Sequence, residues 1–110
     1  MKKPAIVAIL VMTHLPDRDS AKRIANFLIE QRLAACVQLM PPCTSIYHWQ
    51  GQIETASEIP LQIKTSLASY EAVEAAIQRL HPYELPDITY VNIDGGEAAY
   101  IQWIEQESRN

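Results

Sequence analysis

The first apolar segment of the chain, residues 5–12, contains no polar position. A strand with one face in water alternates apolar and polar side chains, so this uninterrupted run predicts a central strand that is covered on both faces. Pro16 and Asp17 then end the strand. Asp17 is the predicted N-cap of the next helix, because its side chain can accept a hydrogen bond from a free N–H group of the first turn.

Apolar residues at helical spacing predict three helices. The first runs to about Arg32, and the second begins near Ser66 or Leu67 with either Ser66 or Ser69 as its cap. Pro82 ends the second helix, and a closing helix spans residues 97–107. The predicted buried positions are Ala21, Ile24, Ala25 and Leu28 in the first helix, Tyr70, Val73, Ile77 and Leu80 in the second, and Tyr100, Trp103 and Ile104 in the third.

The region between the first two helices is extended. Residues 34–49 predict a strand that Pro41-Pro42 interrupts, and residues 52–65 predict its return after a turn at Gln50-Gly51. Both segments are longer than the usual strand of about 5–6 residues. Pro60 has no N–H group to donate to the sheet, so it predicts a bulge or an unpaired position.

Residues 87–94 form the last predicted strand, and the element order is therefore β-α-β-β-α-β followed by a helix. This order predicts an α+β fold on the ferredoxin-like split βαβ plan, with an antiparallel sheet in a single domain over residues 1–110. In that plan two helices cover one face of the sheet, although the first strand is apolar on both faces. We therefore expect an oligomer in which other copies cover the second face and the long hairpin pairs between subunits.

The composition and charge of the chain make some classes of protein unlikely, among them nucleic-acid-binding and membrane-spanning proteins. The formal net charge is −4 and the basic residues are scattered, so nucleic-acid binding is not expected. No apolar run approaches the ~18 residues of a membrane span, and residues 13–17 break the N-terminal run without a cleavage site, so we expect a cytoplasmic protein. Cys36 and Cys43 lack a redox or zinc spacing, and they are expected to be small buried side chains rather than a disulfide or ligand pair.

Several motifs resemble those of the CutA divalent-cation tolerance proteins in order and spacing. The resemblance begins with the strand end and turn at 10–17 and finishes with Asp94-Gly95-Gly96 ahead of a Tyr-x-x-Trp helix. The other motifs are Arg32-Leu33-Ala34-Ala35-Cys36-Val37, Thr44-Ser45-Ile46-Tyr47-His48-Trp49-Gln50-Gly51, Ile63-Lys64-Thr65 and His81-Pro82-Tyr83-Glu84-Leu85-Pro86. The resemblance implies a ferredoxin-like homotrimer whose long strands pair between subunits and which takes part in tolerance of copper and other divalent metals.

The resemblance also bears on the metal ligands. The family pattern associated with copper has a cysteine at the end of the first strand and paired histidines before the Pro-Tyr motif. Thr13 and Leu80 stand at the cysteine and the first histidine positions, and only His81 matches. Imidazole suits copper(II), whereas thiolate and thioether suit copper(I). The predicted ligands of copper or another divalent cation are His81, His14, Cys36 and Met12, and no cofactor is expected to be required for folding.

A second set of residues is predicted to line a cleft between subunits. This set contains Tyr47, Trp49, Lys64, Tyr83 and Glu84. Each candidate also suits a structural role: an aromatic residue in the hairpin can anchor a neighbouring subunit, and residues between prolines can stabilise a turn. In the same way, His81 suits the C-terminal end of a helix and His14 suits a loop.

The sequence contains no catalytic signature, since a nucleophile elbow, a phosphate-binding loop and a dinucleotide fingerprint are all missing. We therefore expect a protein that is not an enzyme. One hypothesis is a homotrimer that binds divalent metal ions. The alternative is a PII-like trimeric signalling or adaptor module that holds a small anionic ligand or a protein partner in its intersubunit clefts, where Lys64 and Arg79 could meet. A purely structural scaffold is the third.

Overall fold

The computed structural model describes residues 7–109, which form an antiparallel sheet and three α-helices. The elements are β1 (Ala8–Leu15), α1 (Arg18–Glu30), β2 (Cys36–Leu39), β3 (Cys43–Trp49), β4 (Gln52–Ser66), a 3-10 turn (Leu67–Ser69), α2 (Tyr70–Leu80), β5 (Thr89–Ile93) and α3 (Ala98–Glu107). The strand order is β2-β4-β1-β5, and β3 pairs with the far part of β4. This order confirms the predicted ferredoxin-like plan, with the second predicted strand divided in two.

Strand β1 lies at the centre of the sheet, between β4 and β5. It continues to Leu15, beyond the predicted end at Met12, and the predicted start at Ala5 lies outside the described residues. Its alternate residues from Ile9 to Leu15 are completely buried under the layer formed by α1 and α2, whereas Leu10 and Met12 on the opposite face are half-buried. One protomer therefore covers only one face of this strand fully.

Helix α1 begins as the sequence predicts. The backbone N–H of Ser20 donates a 2.7 Å hydrogen bond to the Asp17 carboxylate, which confirms Asp17 as the cap. That bond lowers the pKa of Asp17 because it favours the charged carboxylate. The helix ends at Glu30, before the predicted Arg32, because Arg32 has a left-handed φ of 55° that a helix cannot contain. All four predicted apolar positions of α1 are buried.

The capping of α2 differs from the prediction, and no cap was predicted for α3. Neither Ser66 nor Ser69 caps α2 through its side chain, and the Ser69 hydroxyl instead donates to the Ser108 carbonyl at 2.7 Å. Helix α3 is capped by the Glu97 carboxylate, which accepts from two backbone N–H groups. Of its three predicted anchors, only Ile104 is buried, and Tyr100 and Trp103 are each 40% exposed. None of the helices within residues 7–109 is long and apolar enough to cross a membrane.

The prolines of the extended region face one another. The Met40 N–H donates to the Pro60 carbonyl at 2.9 Å, and β2 then stops at the Pro41-Pro42 break. In a strand the N–H and C=O of one residue point to the same side, so the missing donor of Pro60 faces that break. Strand β4 runs through Pro60, which stays paired with His14 of β1, so there is no bulge at Pro60. On its other side Pro60 is aligned with no residue of β2 or β3, which confirms the alternative prediction of an unpaired position.

Strands β3 and β4 form a hairpin that projects from the body of the protomer. The turn is at Gln50 and Gly51, with φ of 51° and 79°, and the positive φ at Gly51 agrees with the prediction. The protomer measures 54 × 25 × 23 Å, and its radius of gyration of 15.0 Å exceeds the ~13 Å expected of a compact chain of about 100 residues. Ile46 and Ile53, on one face of this hairpin, are 71% and 70% exposed.

Candidate functional site

A cleft of about 580 Å³ lies between the hairpin and the connector that joins α2 to β5. The hairpin supplies one wall. Tyr47 and Trp49 are alternate residues of β3, and they point to the same side of the hairpin as Glu58 of β4. The proline-rich connector supplies the other wall. The principal lining side chains are His14 of β1, Tyr47 and Trp49 of β3, Glu58 of β4, and Tyr83, Glu84 and Asp87 of the connector.

His81 joins the connector to the end of β1. Its ring is buried, and its Nε2 lies 2.7 Å from the His14 carbonyl, to which it donates a hydrogen bond. Its Nδ1 accepts the backbone N–H of Tyr83 at 3.2 Å. Both ring nitrogens of His81 are therefore engaged within the chain, with the proton on Nε2. Burial lowers the pKa of His81, because the charged ring is costly to desolvate, and the bond to His14 opposes this effect only partly.

His14 faces the cleft in a different way. Its Nδ1 lies 2.6 Å from one carboxylate oxygen of Asp87, and its backbone N–H donates to the other oxygen at 3.1 Å. Asp87 thus fixes both the ring and the backbone of His14. When the neutral ring donates from Nδ1, the lone pair is on Nε2, which is the arrangement that carboxylates impose on metal-binding histidines.

Glu58 is a buried carboxylate in the cleft wall, with only 6% of its surface exposed. The Tyr83 hydroxyl donates to it at 2.7 Å. Burial, the bond to Glu58 and, more weakly, the neighbouring Tyr47 raise the pKa of Tyr83, so its hydroxyl stays protonated at neutral pH. Sequence patterns do not separate Glu58 from Glu54, which is exposed; in the structure Glu58 is buried and accepts a hydrogen bond from Tyr83 of the connector.

The four predicted metal ligands are not gathered around one point. His14 and His81 are adjacent through the bond between ring and carbonyl, and Met12 lies two residues before His14 on the same strand face. Cys36 aligns with Lys64, which aligns with Leu10, so it is two strands away from β1. Cys36 and Cys43 are free and half-buried. Within residues 7–109, no group of three or more His, Cys, Asp or Glu side chains is arranged to hold a metal ion.

Four of the five predicted cleft residues line the cleft in a single protomer, and Lys64 lies elsewhere. The Lys64 ammonium donates to the Tyr100 hydroxyl at 3.2 Å, on the face of the sheet that α3 covers. The Arg79 guanidinium stacks on the Phe27 ring at 5.0 Å in the α1 and α2 layer, across the sheet. Lys64 and Arg79 therefore do not meet within one chain, and their meeting in a cleft between subunits stays a prediction.

The cleft has a negative lining. Glu58, Glu84 and Asp87 contribute carboxylates, and among the described residues no lysine or arginine lines it. Low-dielectric walls strengthen the attraction of such a lining for positive charge. Sequence reasoning missed Glu58 and Asp87, because their positions depend on packing between segments that are 25 and 73 residues apart. The cleft is thus arranged to attract cations rather than anions.

Comparison with known proteins gives a consistent family assignment. The family model described as "CutA1 divalent ion tolerance protein" matches residues 9–107. The divalent-cation tolerance protein CutA of Pectobacterium atrosepticum is 35% identical over 107 residues, which cover 97% of each chain. The chloroplastic protein CutA of Arabidopsis thaliana is 32% identical over 105 residues, which cover 96% of this chain but 58% of the plant protein.

Two solved structures agree with the fold throughout. CutA1 of the psychrotrophic bacterium Shewanella sp. SIB1 superimposes with a TM-score of 0.90 at 42% identity, covering 94% of this chain and 96% of that one. A protein of Nostoc sp. PCC 7120, described as PII-like protein CutA in its apo form, gives a TM-score of 0.86 at 34% identity, covering 92% and 97%. The match to the family model, over residues 9–107, includes the hairpin and the connector that form the cleft.

Proposed function

Because this chain belongs to the CutA1 divalent ion tolerance family, we propose that it acts in divalent-cation tolerance as a homotrimer without catalytic activity, and that its cleft receives the cation. The hydrogen bond between the His14 ring and the Asp87 carboxylate is the observation that carries this proposal. It presents an oriented imidazole in a cleft whose charged lining side chains are carboxylates.

His14 has the most support among the four predicted ligands. Asp87 engages Nδ1, which leaves Nε2 to coordinate an ion in the neutral ring. Imidazole nitrogen suits copper(II) and other late divalent metals, and carboxylates such as Glu84 can complete the coordination. His81 has no free ring nitrogen for a metal ion. Its ring instead donates a hydrogen bond to the backbone carbonyl of His14 and thereby supports that residue. A site with one imidazole in each protomer is weak, so we propose reversible binding; Met12 and Cys36 remain predicted ligands.

The exposed apolar surface supports the homotrimer. Ile46 and Ile53 lie on the hairpin face opposite the cleft, and Val91 on the second face of the sheet is 51% exposed. A two-stranded ribbon is marginally stable in water, so such a projecting hairpin requires a partner. A closed ring of identical copies covers these surfaces without leaving an open end.

The alternative of a PII-like module for a small anionic ligand has less support. The carboxylates of the cleft repel an anion, and the two basic residues that would hold it lie on opposite faces of the sheet. The pair of His14 and Asp87 has the form of a base with its orienting acid. Within residues 7–109, however, no serine or cysteine side chain is hydrogen-bonded to His14. This favours a binding role.

A plant relative is named chloroplastic, and the predicted cytoplasmic location stays a prediction.

The test is a calorimetric titration of the purified oligomer with copper(II), in parallel with three single variants. His14→Ala removes the proposed ligand, and His81→Ala removes its support. His48→Ala is the matched control because His48 lies on the hairpin face opposite the cleft, and sedimentation velocity first confirms that this variant is still an oligomer. We expect saturable binding near one ion per subunit that His14→Ala abolishes and His48→Ala retains. Saturable binding that survives in His14→Ala would refute the assignment of the site.

A further inference from the structure

We infer that the cleft binds an extended peptide segment of a partner protein, with a basic side chain at one end of the segment and apolar side chains toward the other. The inner end of the cleft, toward the body of the protomer, receives the basic side chain. The outer end, toward the turn at Gln50 and Gly51, contacts the apolar ones. A divalent cation uses only the His14 end of the cleft, so peptide binding goes beyond the function proposed above.

The shape of the cleft follows from the register of the strands. Glu58 lies on β4, two residues outward from the position that is aligned with His14. Tyr47 is aligned with the β4 position four residues outward from Glu58, and Trp49 with the position six residues outward. At about 3.3 Å per residue, Trp49 is about 20 Å from Glu58 along the hairpin. The cleft is therefore an elongated groove and does not surround a single point.

The inner end of the groove is acidic. Asp87 holds the His14 ring there, and Glu58 is buried beside them with one hydrogen bond, which its Oε2 accepts from the Tyr83 hydroxyl at 2.7 Å. Within residues 7–109, Glu58 forms no salt bridge, and no lysine or arginine lines the cleft. A buried carboxylate is costly unless it is paired. An arginine side chain suits this end, because its planar fork donates two parallel hydrogen bonds to a carboxylate.

The outer end of the groove is aromatic and open. Tyr47 is 41% exposed and Trp49 is 37% exposed, and both side chains line the groove on the hairpin side. Leu85 lines it from the connector and is more exposed still. Exposed apolar side chains that share one surface mark contact sites for other molecules, and aromatic side chains are enriched in protein interfaces. The apolar side chains of a partner therefore belong at this end.

The separation of the two ends identifies the class of ligand. A small cation at Glu58 does not reach the outer rings, whereas an extended peptide advances by about 3.3 Å per residue. Side chains four and six residues after a basic residue therefore lie level with Tyr47 and Trp49, and all three point to the same side of the peptide. The partner is a different protein, because Ile46 and Ile53, the hairpin residues assigned above to the homotrimer, lie on the opposite face.

The experiment is a calorimetric titration of the purified oligomer in metal-free buffer. The probe is the peptide acetyl-Arg-Ala-Ser-Ala-Leu-Ala-Leu-amide, together with a second peptide of reversed order, because the groove accepts a chain in either direction. In two control peptides, glutamine replaces the arginine or serine replaces both leucines. We expect saturable binding of one probe peptide per subunit. Each control should bind at least about tenfold more weakly, since it lacks one of the two contacts.

Two variants assign the two ends of the groove. Glu58→Gln keeps an acceptor for the Tyr83 hydroxyl but removes the charge, and we expect about tenfold weaker binding of the probe peptide and little change for the glutamine control. Tyr47→Thr removes a ring but keeps a residue that favours strands, and it should weaken the probe peptide and not the serine control. Glu30→Gln is the matched charge control, because Glu30 is exposed at the end of α1 and does not line the cleft.

Several results would overturn the inference. These are the absence of binding by both probe peptides, and equal binding of a probe peptide and its controls. Binding that requires the arginine but not the leucines indicates a site for a small cation only, and binding that appears only after Ile53→Glu dissociates the oligomer indicates that another copy covers the groove. Both outcomes also contradict a peptide groove. The comparison of peptides uses the parent protein, so it remains decisive if circular dichroism shows that a variant is unfolded.

The failures of the two proposals are distinguishable. Copper(II) binding that requires His14, together with no peptide binding, overturns the peptide groove and leaves the divalent-cation role intact. Peptide binding that requires both the arginine and the leucines supports the groove whatever the copper titration gives.

Discussion

Thr13 offers a sharp test of the packing described here. It lies in the middle of β1 on the face under the helices, it is completely buried, and its hydroxyl has no hydrogen-bond partner among residues 7–109. Thr65, in β4, is equally buried, but its hydroxyl donates to the Leu33 carbonyl at 2.7 Å. The substitution Thr→Val therefore removes an unpaired buried hydroxyl at position 13, whereas at position 65 it removes a hydrogen bond.

The magnitude follows from the burial. A buried polar group without a partner costs about 1–3 kcal/mol, and valine has nearly the shape of threonine without the hydroxyl. We expect Thr13→Val to raise the free energy of unfolding by about 1 kcal/mol or more. Thr65→Val should lower it by a similar amount, because it removes one bond and leaves the Leu33 carbonyl without that donor. In a chain of this size, 1 kcal/mol corresponds to about 4 °C in Tm.

The assay is thermal and urea unfolding of both variants and the parent protein at one protein concentration, because the apparent stability of an oligomer depends on concentration. Opposite changes in the two variants confirm the contrast between the two hydroxyls. If Thr13→Val destabilises the protein as much as Thr65→Val does, the hydroxyl of Thr13 has a partner and the reasoning is wrong.

The other predictions concern a titrating group, a turn, a cap and an interface. The lowered pKa of His81 favours the neutral ring in the folded state, so the contribution of His81 to stability is present above pH 6.5 and is lost as the pH falls through the folded pKa. Urea unfolding at pH 7.5 and at pH 5.5 should show this loss of stability, and the loss should be smaller in His81→Gln. Gly51→Ala should cost about 1 kcal/mol in thermal unfolding, because φ of 79° is unfavourable for alanine, and an unchanged Tm would contradict the turn geometry. Asp17→Ala should likewise cost about 1 kcal/mol through the lost helix cap, and Asp17→Asn, which keeps an acceptor, is its control. Ile53→Glu should dissociate the proposed homotrimer in sedimentation velocity, and an intact oligomer would exclude this hairpin face from the interface.

Local signals in the sequence predicted most of the elements. Asp17 caps α1, Gly51 supplies the positive φ of the hairpin turn, and Pro41-Pro42 divides the second predicted strand. Each of these depends on the conformational preferences of a few adjacent residues. The uninterrupted apolar run predicted a central strand, and β1 does lie between β4 and β5.

Other local predictions failed where a distant partner intervened. Ser69 is suited to cap α2, but its hydroxyl is taken by Ser108 from the other end of the chain. Pro60 is suited to a bulge, but it stays aligned with β1 on one side of β4. On the other side, its nitrogen, which has no N–H to donate, faces the break that follows β2. Sequence alone does not rank a local preference against a tertiary contact of similar energy.

The sequence by itself determined the order of helices and strands and the split βαβ topology. It also indicated that one chain has more apolar surface than it can bury by itself. The tertiary structure alone decided the chemistry of the cleft. It placed Asp87 against His14 and Tyr83 against Glu58, left Lys64 and Arg79 on opposite faces of the sheet, and engaged both nitrogens of His81. The reason is physical: secondary structure depends on neighbours along the chain, whereas the charge and hydrogen bonding of a site depend on side chains that only folding brings together.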